Sequence, residues 1–166
     1  VVDNTVIVGS GDIASVLHDR DDRLFFASGV SNSQETRESE FEREKALLAE
    51  QDPSMHIVYF STLSVFYGMS RYVDHKREME DIIQTRPHNT IVRIGNITWG
   101  NNPHTLINYL KAHPEAEIRD EYRYVIDEEE FNHWVDMIPY RNCEMNITGR
   151  RMKVQEIYDE IQAGKL

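Results

Sequence analysis

One cysteine, Cys143, is all that the 166 residues contain. No intramolecular disulfide can staple the fold, and a reducing compartment such as the cytoplasm is the expected setting. Positive charge is also scarce: 18 Lys and Arg stand against 29 Asp and Glu, a formal net charge of −11. Such a chain repels phosphate backbones and anionic lipid, so neither nucleic acid nor a membrane surface is an expected partner. No apolar run approaches the roughly 18 residues of a membrane span, and no signal-peptide pattern opens the chain. The histidines His75, His88, His104, His113 and His133 lack ligand spacing, and no C-x-x-C pairs with them, so no metal site is expected. A G-x-x-x-x-G-K-[ST] phosphate loop is missing too, which disfavours a P-loop nucleotidase.

What is present is an ordinary globular balance, 40% hydrophobic and 28% charged, at a length that suits one domain. The β-branched run Thr5–Val8 ends in Gly9-Ser10-Gly11, and a short helix is predicted over 13–17. Leu24–Ala27, His56–Phe60 and Thr90–Ile94 are further continuous apolar runs. Runs without alternation suit strands buried on both faces, as in a parallel sheet. Between them, residues 34–51 read as a charged helix with a narrow apolar face (Phe41, Leu47, Leu48), and residues 70–84 as a second helix. Strand and helix in alternation imply βαβ units. From about residue 101 the texture changes to helix 105–112, strand 122–126 and helix 154–162. This suggests a shortened Rossmann-like domain over 1–100 and a small C-terminal α+β portion over 101–166.

Two motifs carry possible chemistry. Gly9-Ser10-Gly11-Asp12-Ile13-Ala14 is a G-x-G-x-x-A between a predicted strand and a helix. There glycines allow close approach to a pyrophosphate and the helix start supplies free N–H groups. The acidic residue expected about 20 positions later to hold a ribose is absent, since the next strand ends in Ala27-Ser28-Gly29. The second motif is Tyr72-Val73-Asp74-His75-Lys76. Spacing i, i+4 places phenol and ammonium on one helix face, and a nearby cation lowers a phenol pKa toward useful acid/base work. Alone, that spacing is common by chance and reads as a surface pair.

Context changes the weighting. A strand ending in Ser61-Thr62-Leu63-Ser64 leads to Tyr67-Gly68, then to the Tyr-x-x-x-Lys, then to a strand ending in Arg93-Ile94-Gly95-Asn96. In that order these resemble the extended short-chain dehydrogenase/reductases, the NAD-dependent epimerase/dehydratase-like proteins. Tyr122–Asp127 and Met145–Gly149 resemble that family's later segments. The resemblance implies Tyr72 as acid/base, with Lys76 binding the nicotinamide ribose and depressing the phenol pKa. It implies Thr62 as the hydroxyl that meets the reacting group. Gly9, Gly11 and Ile13 would line the pyrophosphate site; Ala27, Ser28, Gly29 and Gly95 would face the cofactor; Ser64 and Asn96 would face the substrate. NAD or NADP, a nucleotide-sugar substrate and a homodimer built from the helices at 34–51 and 70–84 follow from the same resemblance.

The chain also departs from the family. Only about 60 residues separate Gly11 from Tyr72, so the resemblance implies deletion of about two strands, those that carry the adenine-ribose half. The first strand would then be a sheet edge. Leu63-Ser64 stand where sugar dehydratases of the family carry Asp-Glu, which argues against dehydration. Two functions therefore remain open: an NAD(P)-dependent epimerase or reductase acting on a sugar nucleotide, or a catalytically degenerate Rossmann-like domain that binds a ligand or a protein.

Overall fold

A computed structural model describes residues 6–166; Thr5, at the start of the first predicted strand, lies outside the described residues. The main sheet is parallel, with strands β1 (Ile7–Val8), β2 (Leu24–Phe26), β3 (Ile57–Thr62), β4 (Asn89–Ile94) and β7 (Cys143–Ile147) lying side by side in that order. A second sheet holds β5 (Asn96–Ile97), β6 (Tyr122–Ile126) and β8 (Arg150–Lys153). The fold is the expected Rossmann-like α/β arrangement, shortened. The chain after residue 100 does not stay apart, because β7 returns to the main sheet.

Alternation along the central strands builds a core on each face of the main sheet. Leu24, Phe26, Ile57, Tyr59 and Ile91 point one way and meet Leu48 of α1 (Glu38–Ala49) and Met79 and Ile83 of α2 (Arg71–Gln84). Phe25, Val58, Phe60 and Val92 point the other way and meet Phe131 and Val135 of α4 (Glu128–Asp136), with Leu17. Each such fully buried side chain contributes roughly 1.5–3 kcal/mol, which is why these short strands need no alternating polar positions. The small sheet is backed by α3 (Leu106–Ala112) and α5 (Val154–Gln162), through Ile107, Leu110, Val125, Met152 and Ile157.

Two predicted elements come out shorter, for local reasons. The helix expected over 34–51 starts only at Glu38, because the Glu35 carboxylate accepts the backbone N–H groups of Thr36 and Arg37 and the Arg37 guanidinium. That side-chain turn competes with the first helical turn. The helix expected over 13–17 is a single 3-10 turn, Ala14–Val16.

Strand order matters for function. In a doubly wound sheet the ligand crevice opens where the winding reverses, beside the first strand. Here the order runs from β1 outward without reversal, so the described sheet has no such switch point. β1 is its edge strand, as the deletion predicts.

Candidate functional site

The residues expected to form a catalytic set all lie at the carboxyl end of β3 and on the first turns of α2. Ser70 caps α2, its hydroxyl accepting the Val73 N–H at 3.1 Å. The helix starts there because an extended Ser supplies an acceptor for an otherwise orphaned N–H. Tyr72 and Lys76 follow on one face, with the ammonium 5.7 Å from the centre of the Tyr72 ring. Thr62 ends β3, and its Oγ1 accepts the Ser64 N–H at 3.1 Å, capping a short 3-10 turn. Thr62 and Tyr72 both remain partly open to solvent.

Lys76 points inward, and only 3% of it is exposed. Its Nζ donates to Glu44 Oε1 and to the Tyr59 hydroxyl, each at 3.1 Å. The Tyr59 hydroxyl donates in turn to the other Glu44 oxygen, and the Val30 N–H donates to Oε1 at 2.6 Å. Gly29 roofs the cluster: a Cβ there would stand 2.7 Å from Lys76 Nζ and 3.0 Å from Glu44 Oε1. His75 Nε2 lies 3.2 Å from the same carboxylate, yet neither ring nitrogen makes a hydrogen bond, and its ring packs on Phe41.

Electrostatics follow from this packing. Burial pushes the Glu44 carboxyl up, but the Lys76 charge and the polar contacts from His75, Tyr59 and Val30 outweigh it, and the pKa falls well below the usual carboxylate range. Tyr72 moves the other way: burial and the Glu44 charge raise its pKa. The resemblance implies a depressed phenol pKa. The difference has two causes, burial of the phenol first and the Glu44 charge second.

A second buried carboxylate system bolts α2 to the sheet. Arg93 of β4 donates to Glu80, which also accepts the Ser61 hydroxyl at 2.6 Å, and reaches Glu144 of β7 at 3.2 Å. Neither Glu44, His75, Tyr59 nor Glu80 was singled out by sequence pattern. Glu44 left a signal: it stands three residues after Phe41 and four before Leu48, in the middle of the apolar stripe of α1, and all three are buried. A carboxylate inside a core-facing stripe requires a buried partner.

The expected cofactor residues are scattered over structural tasks. Gly9, at φ +127°, abuts the Ala27 carbonyl so closely that any side chain would collide with β2. Gly11 is exposed, with nothing near the position of a Cβ. Ile13 packs into the core, as does Ala27. The Ser28 carbonyl accepts from Arg43 at 3.1 Å. Gly95 lets the Tyr124 backbone approach, and the Asn96 amide donates to the Tyr124 carbonyl at 3.0 Å, so both dock the second sheet. The Ser64 carbonyl accepts the Tyr67 and Gly68 N–H groups.

These residues do not fit NAD(P) in its usual seat. The pyrophosphate-facing helix is reduced to three residues of 3-10 turn, too short to sum a macrodipole. No acid stands at the end of β2, and Lys76 is committed to Glu44. A cavity of about 360 Å³ exists elsewhere, between Thr98, Asp127, Glu130 and Arg150, and shares no residue with the Thr62–Tyr72–Lys76 set. The outward surfaces of α1 and α2 are laced with the ion pairs Arg71–Glu38 and Lys45–Glu78. Among the described residues, the exposed large apolar side chains (Phe66, Tyr67, Met69, Tyr109, Tyr122, Trp134, Met137, Tyr140) lie off these two helices.

No protein-family model matches the chain, and no curated protein matches it in sequence. Its fold does match solved structures. WbmG of Bordetella bronchiseptica, in complex with NAD, superposes at a TM-score of 0.69 and 11% identity, covering 86% of this chain and 56% of that one. The Helicobacter pylori ADP-L-glycero-D-manno-heptose-6-epimerase superposes at 0.63 and 14% identity, covering 86% of this chain and 58% of that one. The Bacillus cereus UDP-N-acetylglucosamine 4-epimerase superposes at 0.62 and 17% identity, covering 87% and 63% respectively. The chain thus spans little more than half of each. At these identities what is shared is the fold, that of NAD-dependent epimerase/dehydratase-type proteins in a shortened form.

Proposed function

We propose that this chain is a catalytically degenerate domain on the sugar-nucleotide epimerase fold, a binding module rather than a self-contained NAD(P)-dependent enzyme. The observation that carries this reading is the burial of Lys76 with Glu44 and Tyr59 beneath Gly29. A lysine that has to hold a ribose needs its donors free. This one spends two on buried acceptors and leaves the phenol of Tyr72 without an activating charge. The unreversed strand order and the missing pyrophosphate helix support the same conclusion.

A second reading keeps the enzyme. It is favoured by Thr62 and Tyr72, which stay partly exposed at one end of the sheet, next to Lys76. In that reading Tyr72 is the acid/base, with Lys76 and Thr62 beside it and a nucleotide-sugar as substrate. Calorimetric titration with NAD(H) and NADP(H) separates the two. The module reading expects no saturable heat at millimolar cofactor. Sub-millimolar binding that weakens in Lys76→Ala and loses turnover in Tyr72→Phe would restore the enzyme. A parallel titration with UDP is suggested by WbmG, which was also solved with NAD and UDP. Saturable UDP binding makes the ligand a nucleotide-sugar, and its absence points to a protein partner.

A further inference from the structure

Between β3 and α2 the sequence Val65-Phe66-Tyr67-Gly68-Met69 carries large apolar side chains through a turn at the surface. Phe66 and Tyr67 are each more than half exposed and Met69 is 96% exposed, three such side chains within four consecutive positions. The backbone beneath them is held fast. Arg77 donates through Nε and Nη2 to the Val65 carbonyl, at 3.0 and 2.9 Å, and through Nη2 to the Gly68 carbonyl at 3.0 Å. The Ser64 carbonyl accepts the Gly68 N–H at 2.6 Å, and a Cβ on Gly68 would stand 2.8 Å from Val73 Cγ2. The Arg93 guanidinium lies 4.9 Å from the centre of the Phe66 ring. A turn fixed in this way presents its side chains already ordered, and preorganisation lowers the cost of binding.

Charge around the turn has one sign outward. Arg77 holds its backbone, Arg93 lies against Phe66, and Arg71 follows Met69 by two positions. Each is paired, with Asp74, Glu144 and Glu38 respectively, and in every pair the carboxylate is the more exposed member. The contrast is greatest for Glu144, at 49% against 8% for Arg93. An approaching molecule therefore meets an apolar centre with an acidic rim. Taking about 200 Å² for a large side chain, the three present roughly 400 Å². That is about half of what each partner of a stable globular complex buries, and it suits one face of a short peptide. A second copy of this chain would bring the same carboxylates and the same net charge of −11 to the contact, so like charges would oppose it. We infer that the turn at 65–69 is a docking surface for a basic amphipathic segment of a partner protein. Its apolar face covers Phe66, Tyr67 and Met69, while its lysines or arginines meet Asp74, Glu38 and Glu144. Recognition of this kind lays an amphipathic helix on an apolar surface, and an unbranched Met adapts to varied side chains. The inference rests on the binding-module reading and names the kind of partner that the module takes.

The probe is a labelled amphipathic peptide of leucine and lysine, about 14 residues long, or roughly four helical turns. A leucine–glutamate peptide of the same pattern is its counterpart, and binding is read by fluorescence anisotropy. The leucine–lysine peptide is expected to bind the parent chain saturably and the leucine–glutamate peptide not to bind. Combining Tyr67→Ser with Met69→Ser is expected to weaken binding about tenfold or more, as losing two apolar anchors should. Both positions are exposed, so unchanged thermal melts are expected alongside. Asp74→Asn is expected to weaken binding about two- to fivefold at low salt, a difference that fades as salt screens the rim. Met137→Ser, at an exposed methionine outside the turn, is expected to leave the affinity unchanged. Absence of binding, or equal affinity in the parent and the Tyr67→Ser, Met69→Ser double variant, would overturn the surface. Equal binding of the leucine–glutamate peptide would overturn the basic partner. A dimer of the parent chain in light scattering, dissolved by Met69→Ser, would overturn it in favour of a second copy. Failure here is separable from failure of the binding-module reading: saturable NAD(P) binding ends that reading whatever the peptides do, whereas a lost peptide contrast without cofactor binding removes only this surface.

Discussion

At the junction of β3 and α2, a lysine, a tyrosine and a glutamate are sealed together with matched donors and acceptors, under a glycine that leaves no room for more. At the crossover from β1 to β2, a glycine-rich turn leads only to a single 3-10 turn, held down by one aspartate. Both regions carry motif residues of the same fold. In the first, the core packs around the motif: removing Lys76 would leave the buried Glu44 charge without its lysine partner, with only Tyr59, Val30 and His75 beside it. In the second, nothing in the core depends on a helix, since β1 is an edge strand and Ile13, Val16 and Leu17 suffice to cover its share of the face. The two regions differ in how much of the surrounding packing depends on the motif residues.

The sharpest way to break this comparison is Lys76→Met. If the lysine belongs to the framework, the variant loses about 3–5 kcal/mol of stability in denaturant unfolding, the cost of stranding a buried partner charge. A loss within the range of surface substitutions would mean that Lys76 is free for other work. Pairing the change with Glu44→Gln should recover part of the loss, because the uncompensated charge goes too.

Acid titration probes the same cluster. The folded pKa of Glu44 lies below its ordinary value of 4.5. Its contribution is therefore complete above pH 4.5 and is lost as the pH falls through the lower, folded value. Stability of the parent chain should decline below pH 4.5 more steeply than that of Glu44→Gln, measured by thermal melts across that window. Parallel curves for the two proteins would remove Glu44 from the account.

Gly29→Ala tests the roof. Its Cβ would press on the ends of Lys76 and Glu44, which can shift only by loosening their hydrogen bonds, and a loss of about 1–3 kcal/mol is expected. The smallest effect sharpens the comparison from the helix side: Ser70→Ala removes the cap of α2 and should lower stability by about 1 kcal/mol. If Ser70→Ala proved worse than Lys76→Met, α2 would be held by its end rather than by its buried charges.

Much of the fold could be read from residue order. The apolar runs at 24–27, 56–60 and 90–94 had no polar alternation, and strands buried on both faces were the natural consequence. The helix at 70–84 announced itself by its apolar spacing. The 13–17 helix failed because five residues between an edge strand and a polar turn cannot offset the cost of nucleating a helix. The Tyr72–Lys76 spacing correctly placed both groups on one face, but not the direction in which the ammonium points. That direction depends on Glu44, 32 residues away in sequence, and on a Gly29 roof that no local pattern signals.

Sequence alone therefore determined the α/β class, the shortened first half and the absence of an acid after β2, because periodicity, chain length and residue identity are local quantities. Tertiary structure alone decided that Lys76 is enclosed, that Tyr72 is raised rather than lowered, and that Asp12 fastens loops some 90 residues apart. Those outcomes rest on which charges share a dry space, and a sequence does not state who its neighbours are until the sheet has brought them together.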